Sequence, residues 1–165
     1  MDISKLIDLY YTEIWTGELG EAASNLVNEK RKQSKLPKET TDMLIHHSGF
    51  HDWYVTNVEI ERNVNKGAPV AWVRLSLINR EKKACVLFHN VHHFKVIGDL
   101  VEPNMLKGIV APTPTMRGFA EVSSIWYETH AKGTRFFLLF TEGVYLEIVC
   151  ENLEIVPCVE TDKPQ

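Results

Sequence analysis

The chain has little cysteine, no long apolar run and no excess of basic charge, and each shortage removes a class of protein. Its three cysteines, Cys85, Cys150 and Cys158, are odd in number and contain no CxxC pair. Each stands in an apolar, strand-like run, so small buried hydrophobes are expected rather than ligands or nucleophiles. No stretch reaches the roughly 18 apolar residues of a membrane-spanning helix. The opening MDISKLIDLYYTEIW lacks the basic region and continuous apolar stretch of a secretory signal. A cytoplasmic location without membrane contact follows as the expectation. The net charge of −4 gives no concentrated basic face of the kind that binds nucleic acid.

What is present is ordinary globular material: 165 residues, 44% hydrophobic and 24% charged, enough for one domain to close a core unaided. One domain is expected over 1–160, with a helical region at 1–49, a β-region at 50–158 and a frayed tail at 160–165. The charge is uneven. Residues 1–52 hold six Lys/Arg against nine Asp/Glu, 53–117 nine against five, and 118–165 three against eight. The acidic C-terminal third would steer a basic partner or form solvated strand faces.

Periodicity sets the fold class. Ile3, Leu6, Ile7, Tyr10 and Ile14 share one helical face, with Asp2 in the N-cap position. After Thr16-Gly17 the pattern resumes with Leu19, Ala22, Ala23, Leu26 and Val27, then dissolves into NEKRKQSK, a helix end or solvated loop. Pro37 and Gly49 bracket a third helix, with His46 and His47 in its last turn, where an imidazolium meets the negative end of the helix dipole. After Trp53 the period changes to two. Tyr54, Val58 and Ile60 are expected on one strand face, as are Val73, Leu75 and Leu77. Residues 98–117, with three prolines and two glycines, read as a long loop. The remaining runs, FAEVSSIWYE, TRFFLLF, VYLEIVC and LEIVPC, bring the strand count to about seven. The expected fold is α+β: N-terminal helices, then an antiparallel β-meander, sandwich-like or a helix-capped sheet, because several strands are apolar on both faces.

Candidate chemistry clusters in HHSGFHDW and HNVHH. His51-Asp52 has the form of a metal-phosphohydrolase pair, but it leads straight into a strand pattern rather than a helix. The structural reading makes Gly49, His51, Asp52 and Trp53 a helix-to-strand junction, with Asp52 accepting hydrogen bonds from nearby backbone N–H groups or from His51. On a regular strand His89 and His93 share a face about 13 Å apart, too far for one ion. A metal site would need a bulge or ligands from another segment, such as His47 or His51. No cofactor is expected, and no GxSxG elbow or phosphate loop is present. Glu121, Glu128, Glu147 and Glu154 alternate with apolar residues and would do acid–base work only if two met across strands.

FHDWYVTNVEIE, VAWVRLSL, VLFHNVHHFKV and SIWYETHAKGTRFFLLFTEGVYLEIVCENLEI, together covering most of 50–156, resemble small bacterial proteins of which some are regarded as immunity proteins of toxin–immunity systems. The resemblance implies an α+β fold and a protein partner, and it assigns no binding residue. The functional expectation is accordingly a non-enzymatic, cytoplasmic protein-binding module, with Trp72, Trp126, Glu142, Glu147 and Glu151 as candidate contacts chosen by polarity. The alternative is a small metal-binding protein or hydrolase built on His47, His51, Asp52 and His93.

Overall fold

Strands that are apolar on both faces need two covers, and the chain supplies both by closing its sheet and laying helices over the outside. The computed structural model describes residues 3–12, 17–65, 68–97, 121–140 and 144–158. The expected loop at 98–117, Glu142, Asp2 and the 160–165 tail lie outside them. The described elements are α1 (Ile3–Thr12), α2 (Gly17–Gln33), α3 (Lys38–His46), a 3-10 turn (Ser48–Phe50), β1 (Trp53–Asn65), β2 (Ala68–Asn79), β3 (Lys82–Ile97), β4 (Glu121–His130), β5 (Gly133–Phe140) and β6 (Tyr145–Val156). The fold is α+β with an antiparallel sheet, as the change of period implies.

The described strands number six rather than about seven, because VYLEIVC and LEIVPC form one continuous β6. They close into a barrel in the order β1-β2-β3-β6-β5-β4. The expected simple meander is corrected on this point. β1-β2-β3 and β4-β5-β6 are each meanders, but β3 pairs with β6, and a short seam closes the ring where Trp53 and Tyr54 face Val122 and Glu121. Closure removes the exposed sheet edges that a sandwich leaves.

β5 shows why. Phe136, Leu138 and Phe140 join Val73, Leu75, Leu77, Val86 and Phe88 inside the barrel, whereas Phe137 and Leu139 join Trp126 beneath Ile3, Leu6, Ile7, Ala23 and Val27 of α1 and α2. Each Val, Leu, Ile or Phe side chain so removed from water contributes about 1.5–3 kcal/mol. Leu44 of α3 and Phe50 of the 3-10 turn belong to the interior cluster, so this segment plugs the barrel.

Three bulges interrupt the described strands, one of them in β4 between Val122 and Ser124, and the other two bear on the expected faces of β1 and β3. One between Val55 and Asn57 shifts the phase of β1. Trp53 and Val55 are therefore buried, Tyr54 hydrogen-bonds Glu121 and Ile60 is 52% exposed, so Tyr54, Val58 and Ile60 do not form one buried face. The second, between Val91 and His93, inserts a residue into β3 opposite β6. That pairing also places Cys85 opposite Val156, within reach of Cys158. The two form a disulfide with Cα atoms 5.1 Å apart. Only Cys150 remains the free buried cysteine that was expected of all three.

Candidate functional site

Where α2 and α3 meet the barrel wall, a cleft of about 670 Å³ opens, within the size range of small-ligand and side-chain pockets. Each helix contributes an i, i+3, i+4 triplet: Asn28, Arg31 and Lys32 from α2, and Thr41, Leu44 and Ile45 from α3. The junction adds Ser48, Gly49 and His51, and β4 adds Ser123, Ser124, Ile125 and Tyr127. Ile45 is 70% exposed and forms an apolar lip.

Arg31 is the unusual member. Its Nη2 donates to the Ile125 carbonyl over 2.6 Å, and its guanidinium lies 5.7 Å from the centre of the Tyr127 ring. Its Nε is buried without a hydrogen-bond partner. Burial pulls its pKa below the ordinary arginine value, with Tyr127 opposing, yet arginine stays charged. The sequence reading missed it: inside NEKRKQSK it looks like one more solvated cation. The available signal was spacing, since Arg31 falls four residues after Val27 on the buried side of α2.

The floor of the cleft is a strained turn. Ser48, Gly49, Phe50 and Asp52 all have left-handed φ, between 53° and 62°, costly for the three that are not glycine. Packing holds it. Phe50 is fully buried, stacked on His47 at 5.0 Å and edge-on to Trp53 at 5.2 Å. Burial lowers the pKa of His47, with smaller contributions from His46 and Lys82.

HHSGFHDW is thus a helix-to-strand junction, and of the two expected partners of the Asp52 carboxylate the structure shows His51. The backbone N–H of Asp52 donates to Val122 O at 3.0 Å, and its carboxylate faces His51 Nδ1 at 2.9 Å. The four residues of the metal alternative are not brought together. Asn79, which bonds the Asp52 carbonyl, pairs with Lys82, and His93 lies about eleven residues further along β3, on the order of 36 Å of strand. His89, His92 and His93 instead face Glu154, Glu151 and Glu147 at 3.2, 3.1 and 3.7 Å. Among the described residues, no group of three His, Cys, Asp or Glu side chains is placed to hold a metal ion.

The proposed partner contacts have separate fates. Trp72 is half-buried on the outer face of β2. Trp126 is 5% exposed, edge-on to Tyr10 at 5.5 Å, and has no surface to offer a partner. Glu151 is exposed but bonded to Asn90 and His92, which hold its carboxyl below the usual range. Glu147 is nearly buried and takes Arg135 Nε and Nη2 at 2.7 and 2.6 Å. Arg135 also lies 3.5 Å from Glu128, which Lys30 approaches at 3.7 Å. Two glutamates do meet across strands, but around an arginine. Within the acidic C-terminal third, Glu147 is paired with Arg135, and Glu128 with Arg135 and Lys30. No helix among the described residues is long and apolar enough to cross a membrane. No family model, curated protein or solved structure matches the chain.

Proposed function

We propose that the protein is a non-enzymatic binding module that docks a protein partner at the cleft between α2, α3 and β4. One observation carries this reading: a cleft of about 670 Å³ with an exposed isoleucine, Ile45, on its lip. Such an arrangement suits an apolar anchor seated in a pocket, the form that interface hot spots take. The groups that would do acid–base chemistry support it as well, since Glu128 and Glu147 are held by Arg135 and three of the histidines face glutamates along the barrel wall, away from the cleft. An immunity role is one form of this reading and rests on the resemblance of the strand segments alone.

The docking site moves from the acidic strand residues to the helix–barrel cleft, because Trp126 is covered and Glu147 is occupied. A cytoplasmic placement has one chemical consequence. Disulfides are rare in reducing compartments, so in the cytoplasm Cys85 and Cys158 would carry thiols, and in an oxidising compartment the bond found here.

The test is affinity capture from the source cells with wild type, Ile45→Asp and Ile60→Asp. Both isoleucines are exposed, so both variants fold. A protein retained by wild type and Ile60→Asp and released by Ile45→Asp is the expected result. Retention by all three contradicts the cleft as the docking site.

A further inference from the structure

We propose that the cleft is a carboxylate subsite. Arg31 and Lys32 receive the acid group of a docked segment of the partner, and Leu44, Ile45 and Tyr127 receive the apolar side chain beside it. The proposal rests on the docking reading above and names the chemistry that reading leaves open.

The argument is one of unbalanced charge. The enclosed ions elsewhere on the barrel wall have opposite charges: Glu147 and Glu128 share Arg135, and Glu128 also has Lys30. Arg74, whose Nε is likewise buried and unpartnered, has Glu59 at 3.6 Å from Nη1. Arg31 faces no described carboxylate; its one bond is to a carbonyl. A guanidinium taken out of water without a counter-charge is costly, and an incoming anion relieves that cost. Lys32 stands beside it, and no aspartate or glutamate lines the cleft. The acids that adjoin lining residues in sequence are turned elsewhere: Glu29 accepts from Gln33, Asp42 pairs with Lys38, Asp52 faces His51, and Glu128 has Lys30 and Arg135. In a chain of net charge −4 this is a local cationic hollow against the overall sign.

The helix ends narrow the choice of anion. Arg31 lies in the last turn of α2, and Ser48 follows just after the end of α3. Both helices therefore direct their negative ends toward this region, which offsets part of the Arg31 charge and penalises a phosphate dianion more than a carboxylate monoanion. The apolar side chains of Leu44 and Ile45, with the Tyr127 ring, suit an acid that carries a hydrophobic neighbour.

The experiment is an amide-resolved NMR titration of the full chain with phenylacetate, its neutral isostere phenylacetamide, and inorganic phosphate. Wild type and Lys32→Gln are compared; Lys32 is exposed, so its loss leaves the fold intact, and Arg31→Lys keeps the charge but not the guanidinium. The expected result is saturable shifts at Ser48, Ser123 and Ser124 with phenylacetate, and binding at least about tenfold weaker for phenylacetamide, the scale of one charge-assisted hydrogen bond. Both variants weaken phenylacetate and leave phenylacetamide unchanged. Equal binding of acid and amide overturns the carboxylate assignment while the docking site stands. Tighter binding of phosphate overturns it in favour of a dianion. No shift in the cleft with any probe removes the subsite, and the Ile45→Asp capture then decides separately whether a partner docks there.

Discussion

Arg31 reaches out of the last turn of α2 and gives one Nη2 hydrogen bond, 2.6 Å long, to the backbone carbonyl of Ile125 on the barrel wall. If that bond were simply a staple, removing it would cost about 1.5–3 kcal/mol, as for other hydrogen bonds to charged groups. The guanidinium is also half-buried with no described counter-ion, and that penalty offsets the bond. Arg31→Met is therefore expected to change folding stability by less than about 1 kcal/mol, measured by urea unfolding. A loss of about 3 kcal/mol would identify Arg31 as structural rather than as a group held ready for a ligand.

Gly133 marks a close approach of two strands. With φ at 123°, it opens β5 where a Cβ would stand 2.2 Å from the Cys150 carbonyl oxygen and 2.9 Å from the Glu151 Cα. Those atoms are backbone and cannot swing aside, so β5 and β6 would have to part. Gly133→Ala should cost upwards of about 2 kcal/mol in chemical denaturation. A variant as stable as wild type would mean that β5 and β6 do not pair this closely at that end.

The Cys85–Cys158 disulfide spans 73 residues of sequence. On the loop-entropy account, reducing it lowers stability by as much as about 4 kcal/mol. Cys150 is buried, and burial pushes its thiol up to about 12, so it should resist thiol reagents in the native state. In denaturant, one thiol should react before reduction and three after it. Three reactive thiols in the unreduced, air-exposed protein would contradict the pairing.

His47 carries a pH dependence with a definite sign. Its folded pKa lies below the ordinary 6.5 because burial penalises the charged ring, with His46 and Lys82 adding repulsion. Between the two values the unfolded chain binds the proton more readily, so stability is full above about 6.5 and falls as pH drops toward the folded pKa. Unfolding midpoints at pH 7.5 and 5.5 should therefore differ in wild type, with a smaller gap in His47→Gln. An unchanged gap would move the origin to a group other than His47, and Glu151 is not that group. Its depressed pKa gives a contribution lost only at lower pH, below the usual glutamate range.

The parts of this fold that were legible in the sequence are those governed by local period. Ile3, Leu6 and Ile7 announced a helix face, and the change after Trp53 announced antiparallel strands. The two-faced character of RFFLLF correctly demanded two covers. What the sequence withheld were non-local choices. The bulge after Val55 inverts the faces of β1, and nothing in TNVEIE distinguishes it from a regular strand. The β3–β6 pairing, which creates the disulfide and closes the barrel, depends on partners about 60 residues apart. Arg31 was hidden for the same reason: its burial follows from where β4 passes beneath α2, not from its neighbours in NEKRKQSK.

The central claim is that the helix–barrel cleft is where a partner docks, acid group inward. The most direct measurement places a photo-crosslinking residue at position 45 on the cleft lip, and separately at exposed position 60, and irradiates the protein in its source cells. The account predicts an adduct from position 45, absent from position 60, with the crosslinked peptide carrying an aspartate, a glutamate or a free C-terminus beside an apolar residue. Adducts equal at both positions, or none from position 45, would contradict it.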